Sequence, residues 1–246
     1  MRNALRLPLT AALILVIIAA FTGCLADGFE VEEERPPVPA STPGPLPDGF
    51  VRVREVIPDV IEEMRYFGFH NFTGRPVDGY EGNTAILTAR AAEALRHAAD
   101  AFREMGYRVK IYDAYRPQRA VADFMAWAGS DDETAKAEFY PDFDDKRQLV
   151  DQGYIARNSA HMKGSAVDMT LTDPEGTELD MGTCFDFFGR LAWHGADGIT
   201  DEQARNRLLM RTVMEQCGFR AFEREWWHYR LIDQPFPDTN FDFPVN

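Results

Sequence analysis

Cysteine and serine are scarce in this chain, and each shortage excludes a class of chemistry. Only two of the three cysteines, Cys184 and Cys217, lie beyond residue 24, so a zinc site made of four thiolates is excluded. In an oxidising compartment these two could form one disulfide, and they could equally be two separate thiols. None of the four serines is followed by a lysine three residues later: Ser41, Ser130, Ser159 and Ser165. The serine–lysine pair of the penicillin-type enzymes is therefore excluded as well.

Positively charged residues are also few. The 246 residues include 26 lysines and arginines against 40 aspartates and glutamates, which gives a formal net charge of −14. An acidic surface repels the phosphates of nucleic acids and the headgroups of anionic membranes. We therefore expect a well-solvated surface and no nucleic-acid partner.

The N-terminus has the pattern of an export signal. Arg2 and Arg6 come before a near-continuous apolar run over residues 7–21, and small residues follow that run. This order of basic, apolar and small residues is typical of a signal peptide, and the run is shorter than a membrane-spanning helix needs. We predict that residues 1–23 are a signal peptide and that the rest of the chain faces the periplasm or the cell exterior.

The end of this segment, Phe21-Thr-Gly-Cys24, resembles a bacterial lipobox, whose cysteine is lipidated and becomes the mature N-terminus. The leucine usual at the first position of that motif is Phe21 here. The alternatives are an ordinary signal peptide cleaved nearby and an uncleaved membrane anchor. We expect Cys24 to be lipidated, and we expect the chain to contact a membrane only through this N-terminal segment.

A linker separates this segment from the folded part of the chain. Residues 24–48 are rich in glutamate and proline and carry too little apolar surface to order themselves, so we expect a semi-extended tether. Residues 49–246 contain no repeat and no second linker, and their number suits a single domain.

Two segments far apart in this domain together supply the residues of a catalytic zinc site. The first contributes His161 and Asp168, and the second contributes Glu225 and His228. Three protein ligands, an open position for water and a neighbouring base make up such a site. Seven extended residues would hold His161 and Asp168 about 23 Å apart, so the chain must turn back between them, and Gly164 permits that turn.

Each of these residues also has an ordinary structural interpretation. His161 could be a surface histidine and His228 a packed core histidine. Arg116, in the segment Asp113-Ala-Tyr-Arg116 that follows a predicted strand, is a further candidate and could be a structural ion-pair partner. Asp168 would be costly to bury without a cation. Glu225 and His228 lie on opposite faces of a regular strand, so a turn or a bulge must lie between them if both reach the metal.

Hydrophobic periodicity places the chemistry on an α+β domain. Apolar residues recur at helical spacing after Thr88, alternate after Gly106 as in a strand, and recur again after the capping box of Thr200 and Gln203. The order of elements favours a single domain with a central antiparallel or mixed sheet flanked by helices. The predicted elements are helices at 88–106, 117–128 and 200–218 and strands at 107–112, 165–171 and 226–232.

Six motifs are spread from about Tyr66 to the C-terminus. They are Asn71-Phe-Thr-Gly74, Asp113-Ala-Tyr-Arg-Pro117, Ser159-x-His-x-x-Gly-Ser-Ala-x-Asp168, Asp180-Met-Gly-Thr-Cys-Phe-Asp-Phe-Phe188, Glu225-Trp-Trp-His-Tyr229 and Phe241-Asp-Phe-Pro-Val245. Together they resemble the motifs of the VanX-type D-alanyl-D-alanine dipeptidases, zinc peptidases of the wider group that includes the D,D-carboxypeptidases and the hedgehog-like fold.

The resemblance implies roles for ten residues and one Zn²⁺ per chain. His161, Asp168 and His228 would bind the zinc, Glu225 would be the general base, and Arg116 would stabilise the oxyanion. The small substrate pocket would be lined by Asp113, Ser159, Asp186, Tyr66 and Tyr80. Asp186 is the candidate partner for a substrate ammonium, and the region of Ser159 for a substrate carboxylate.

The implied activity is hydrolysis of the D-Ala-D-Ala dipeptide, and the export signal favours dipeptide turnover or scavenging outside the cytoplasm. One alternative is a D,D-carboxypeptidase that trims peptidoglycan stem peptides. A second is a wall-binding lipoprotein without catalytic activity, which the presence of ligands, base and arginine disfavours.

Overall fold

A five-stranded mixed sheet forms the centre of the computed structural model, which describes residues 44–246. The strand order is β2-β4-β5-β7-β6; β2 runs parallel to β4, and the other neighbours are antiparallel. The predicted α+β class and the mixed form of its sheet are confirmed. Strands β1 and β3 pair separately as a two-stranded antiparallel sheet. The strands are Phe50–Arg52 (β1), Ile61–Glu62 (β2), Ile86–Thr88 (β3), Arg108–Asp113 (β4), Ala166–Thr172 (β5), Phe219–Phe222 (β6) and Glu225–Leu231 (β7).

The two longest helices, α2 and α6, pack against each other; α2 also contacts β4, and α6 contacts β6 and β7. Their starts follow from the sequence. The Thr88 hydroxyl accepts from the Ala91 N–H, and Thr200 and Gln203 form the predicted capping box. The helices are Val53–Val56 (α1), Ala89–Glu104 (α2), Gln118–Ala128 (α3), Lys136–Phe139 (α4), Arg147–Asp151 (α5) and Asp201–Gln216 (α6).

The structure differs from the predicted elements in two respects. Pro117 was expected in the first turn of α3 and lies instead at the cap, just before the first helical residue. The short elements, which are strands β1, β2, β3 and β6 and helices α1, α4 and α5, were not predicted, because runs of two to five residues hold too few positions to show a periodicity. All seven residues of β5 are buried, so both faces of this strand are covered.

Two irregularities in the sheet lie close to Asp168 and His228. Along β4, Ile111 pairs with Met169 and Asp113 pairs with Asp168, which leaves Tyr112 as an extra residue. Between β6 and β7, Ala221 pairs with Tyr229 and the next residue, Phe222, pairs with Glu225. The three residues of β7 between Glu225 and Tyr229 therefore have no partner in this register and form a bulge. The bulge that the sequence required between Glu225 and His228 is therefore present.

The C-terminal segment braces the turn that carries His161. The Phe241 N–H donates to the Met162 carbonyl oxygen at 2.9 Å. The ring of Phe50 packs against Phe241 and also fills the space beside Gly164, where an added Cβ would lie 2.2 Å from that ring. Gly164 has φ 65°, in the left-handed region that glycine adopts at little cost.

Cys184 and Cys217 are free thiols in the structure. Of the two alternatives, one disulfide or two separate thiols, the structure has the second. The predicted signal peptide, Cys24 and the linker up to residue 43 lie outside the described residues. Within residues 44–246, none of the helices is both long enough and apolar enough to cross a membrane.

Candidate metal centre and active site

His161, Asp168 and His228 meet at one point beside the central sheet. His228 Nδ1 lies 2.9 Å from Asp168 Oδ1, and His161 Nε2 lies 3.1 Å from His228 Nδ1 and 3.3 Å from Asp168 Oδ1. His161 and Asp168 are each 2% exposed. Among the described residues, these three form the one cluster of histidine, cysteine and acidic side chains arranged to hold a metal ion.

Secondary structure positions each of the three. Asp168 on β5 and His228 on β7 are direct partners in the antiparallel register. His161 lies in a 3₁₀ turn over Ala160–Lys163, which ends at Gly164 where the chain turns back into β5. His161 Nδ1 donates to the Ala114 carbonyl oxygen at 2.6 Å. That hydrogen bond fixes the tautomer and leaves Nε2 free to bind a metal.

The arrangement fits zinc. Tetrahedral zinc with bonds of about 2.0–2.2 Å places its ligand atoms about 3.3–3.6 Å apart, close to the separations of 2.9, 3.1 and 3.3 Å here. Two imidazoles and one carboxylate suit this ion and leave a fourth position for water. Burial opposes ionisation of Asp168, but His161 and His228 outweigh it and lower the pKa of the carboxyl well below its usual value. The carboxylate is therefore in the form that binds a cation.

Glu225 stands beside the metal ligands without belonging to them. Its Oε2 lies 4.0 Å from His228 Nδ1, and the bulge in β7 brings both side chains to the same pocket. Burial raises the pKa of the Glu225 carboxyl to about 7, partly offset by His228 and reinforced by Asp168. A carboxylate in this position is suited to take a proton from a water molecule near the metal.

Arg116 approaches the same centre from the end of β4. Its Nη2 lies 3.5 Å from Asp168 Oδ2, and its Nε donates to Asp113 Oδ2 at 2.9 Å. The guanidinium also lies 5.1 Å from the ring centres of Tyr66 and Phe124. Arg116 is thus a fixed positive charge next to the metal ligands, where a developing negative charge would be stabilised.

The predicted substrate-binding residues fall into two layers. Tyr66, Ser159 and Asp186 line a cavity of about 170 Å³ together with the metal ligands, Glu225 and Arg116. Asp113 and Tyr80 do not line it. They lie behind Arg116 and His161, where the Tyr80 hydroxyl donates to Asp113 Oδ1 at 2.6 Å and Asp113 is completely buried. Their contacts orient Arg116, and their part in substrate binding stays a prediction.

Asp186 presents a buried carboxyl group to the cavity. It is 5% exposed, accepts a hydrogen bond of 2.7 Å from the Tyr66 hydroxyl, and is the one non-glycine of the described residues with positive φ, at 61°. Burial raises the pKa of the Asp186 carboxyl well above its usual value, and the negative charge of Asp168 adds to this effect. Such a group would gain from a cationic partner in the cavity.

Most of the aromatic wall of the cavity was not predicted from the sequence. These residues come from loops, a helix and two strands spread along the chain, and no periodic pattern marks them. Phe72, Phe188 and Trp227 fall inside motifs that the resemblance singled out, but the motifs gave them no role in the pocket. The missed residues that line the cavity include Phe72, Phe124, Tyr154, Phe188, Phe222 and Trp227.

Comparisons with known proteins agree with this geometry. The peptidase M15 family model, described as D-Ala-D-Ala dipeptidase, matches residues 47–246. A D-alanyl-D-alanine dipeptidase from Enterococcus faecium is 42% identical over 199 residues, covering 80% of this chain and 98% of that protein. One from Enterococcus faecalis is 41% identical, covering 82% and 100% of the two chains. One from Streptomyces coelicolor is 37% identical, covering 80% and 98%.

Proposed function

This chain belongs to the M15 peptidase family of D-Ala-D-Ala dipeptidases, and from that membership we propose that it hydrolyses the D-Ala-D-Ala dipeptide outside the cytoplasm. The chain is a zinc metallopeptidase, and His161, Asp168 and His228 are the residues that hold its metal. The observation that carries the choice of substrate is the size and lining of the cavity beside these ligands.

That cavity suits a very small ligand. Its volume of about 170 Å³ lies below the about 300–1,000 Å³ typical of sites for larger organic ligands. A dipeptide carries an ammonium and a carboxylate only a few ångströms apart, so a site specific for it should bind both ends. Asp186 is the partner for the ammonium, whose charge would offset the burial of that carboxyl, and the region of Ser159 is the partner for the carboxylate.

Each residue of the site has a separate role in the hydrolysis. When bound, zinc supplies a Lewis acid that activates water and polarises the peptide carbonyl. Glu225 accepts the proton of the attacking water and later donates it to the leaving amine. The Arg116 guanidinium stabilises the negative charge that develops on the carbonyl oxygen. Asp113 holds Arg116 in place through its hydrogen bond to Nε.

A substrate panel tests this proposal against the D,D-carboxypeptidase alternative. The purified chain should hydrolyse D-Ala-D-Ala, should leave L-Ala-L-Ala intact, and should act poorly on a pentapeptide ending in D-Ala-D-Ala. Release of D-alanine measured for each substrate gives the answer. Faster cleavage of the pentapeptide would favour the carboxypeptidase, and no cleavage of any substrate by zinc-loaded protein would favour a wall-binding lipoprotein.

Export changes the biological role that such an activity can have. D-Ala-D-Ala is made and joined to wall precursors inside the cell, so a dipeptidase outside the membrane cannot deplete that pool. The basic start, the apolar run and Phe21-Thr-Gly-Cys24 therefore support scavenging or turnover of the dipeptide rather than glycopeptide resistance. The several acyl chains of a lipoprotein would anchor the chain firmly, and the acidic, proline-rich segment would keep the enzyme clear of the bilayer.

Cell fractionation tests this location. Wild-type protein should be found in the membrane fraction. A Cys24→Ser variant should carry no lipid and should leave the fraction that holds the lipidated protein. Soluble cytoplasmic wild-type protein with an intact N-terminus would overturn the location and reopen a role in resistance.

A further inference from the structure

Tyr154 stands between the catalytic cavity and a second, larger cavity. It lines the catalytic cavity of about 170 Å³ and also an adjoining groove of about 640 Å³. The groove is otherwise lined by polar and aromatic side chains that take no part in the metal site. They include Asp142, Gln148, Gln152, Arg190, Trp193 and Arg224.

The Tyr154 side chain is held from several sides. Its ring centre lies 5.7 Å from those of Phe143 and Phe188, and the Arg224 guanidinium lies 4.3 Å from it. The Tyr154 N–H donates to the Leu149 carbonyl oxygen at 2.8 Å. A ring packed in this way is a fixed partition, because moving it would break several contacts at once.

One loop contributes residues to both spaces. Asp186, which would bind the ammonium of a dipeptide, lines the catalytic cavity. Three and four residues later, Gly189 and Arg190 line the groove. The same loop thus borders both spaces, and Tyr154 is the residue that lines the catalytic cavity and the groove alike.

We propose that Tyr154 determines substrate length: its ring separates the catalytic cavity from the groove and so excludes peptides longer than two residues. This inference rests on the proposed dipeptidase function. Removing the ring would join the two spaces, and the groove would then accept the amino-terminal extension of a longer peptide. The Arg190 and Arg224 guanidiniums and the Gln152 amide supply donors for the carbonyl groups of such an extension.

The test compares the full chain with two variants on two substrates. D-Ala-D-Ala and L-Ala-D-Ala-D-Ala are assayed by release of D-alanine, and zinc content is measured for each protein. Tyr154→Ala should lower the preference for the dipeptide, expressed as a ratio of kcat/KM values, by about tenfold or more, chiefly by raising turnover of the tripeptide. Tyr154→Phe keeps the ring and should keep the wild-type ratio. Gln148→Ala alters only the groove and should keep it too.

The outcomes separate this inference from the function on which it rests. A wild-type chain that cannot cleave the dipeptide contradicts the proposed function. An active wild type whose Tyr154→Ala variant keeps the original ratio contradicts the role of Tyr154 alone. A Tyr154→Ala variant that binds zinc but cleaves neither substrate also contradicts it, since the ring would then be needed for catalysis and not for selection.

Discussion

Asp168 and His228 are direct neighbours across the β5–β7 pair although they lie 60 residues apart in the chain, and Asp168 Oδ1 is 2.9 Å from His228 Nδ1. The sheet itself therefore fixes two of the three metal ligands relative to each other. His161 joins them from a turn braced by Gly164 and by the Ala114 carbonyl group. A site built in this way on strands should be rigid before any metal binds.

The first prediction concerns the metal. The purified chain should contain about one zinc ion, lose activity to a chelator and recover it when zinc is added, because ligand positions as close as these are stabilised by a shared cation. Metal analysis and a thermal unfolding curve with and without chelator measure both effects, and the metal-free form should unfold at a lower temperature. Full activity in a verified metal-free sample would contradict this prediction.

Glu225→Ala should abolish turnover and leave zinc bound, because Glu225 lies beside the ligands and is the base that we propose. His228→Ala should lose both zinc and turnover. Glu223→Ala is the matched control, since Glu223 is an exposed glutamate two residues away whose carboxylate pairs with Arg211. Loss of zinc from the Glu225 variant would show that ligand and base have been assigned the wrong way round.

Arg116→Ala should lower kcat by about 10²–10³, far more than it raises KM, because its charge acts mainly when negative charge develops on the carbonyl oxygen. Steady-state kinetics on D-Ala-D-Ala give the two constants separately. Arg119→Ala serves as the control, because that exposed arginine pairs with Asp242 on the surface. A change confined to KM would make Arg116 a binder of the ground-state substrate.

His194 should make stability depend on pH below neutrality. Burial, reinforced by Arg211, lowers the pKa of His194 to about 4, whereas an unfolded histidine has a pKa of about 6.5. The folded state therefore binds fewer protons than the unfolded one at intermediate pH. The contribution of neutral His194 is present above about pH 6.5 and is lost as the pH falls towards 4.

Denaturant unfolding at pH 7 and pH 5 measures this effect. The wild type should lose about 1–2 kcal/mol more unfolding free energy than His194→Gln between the two values. His97→Gln removes an exposed histidine of α2 and should behave as the wild type, since the metal site is common to all three proteins and cancels in the comparison. Equal losses in the wild type and the His194 variant would rule this mechanism out.

Much of the metal centre was predictable because its chemistry is local in sequence. His161 and Asp168 lie in one motif and Glu225 and His228 in another, and their types alone indicate zinc ligands and a base. The requirement for a turn at Gly164 followed from the distance that an extended chain would span. The requirement for a bulge before His228 followed from the alternation of a strand, and the structure contains both.

The substrate pocket was predicted only in part. Tyr66, Ser159 and Asp186 line it, but Asp113 and Tyr80 lie one layer behind, where they hold Arg116. A sequence motif shows which residues accompany the site and does not show which of them face the ligand. That distinction depends on packing against residues far away in the chain.

The sequence by itself determined the long helices, the central strands and the candidate metal ligands, since each depends on residue type and on short-range periodicity. The tertiary structure decided the register that sets Asp168 against His228 and the aromatic wall that limits the cavity to about 170 Å³. The tertiary structure also decided the position of Tyr154 between that cavity and the groove. The physical reason is that a cavity is the space left by side chains from many distant segments, so its size and its borders are properties of the packed chain and not of any one motif.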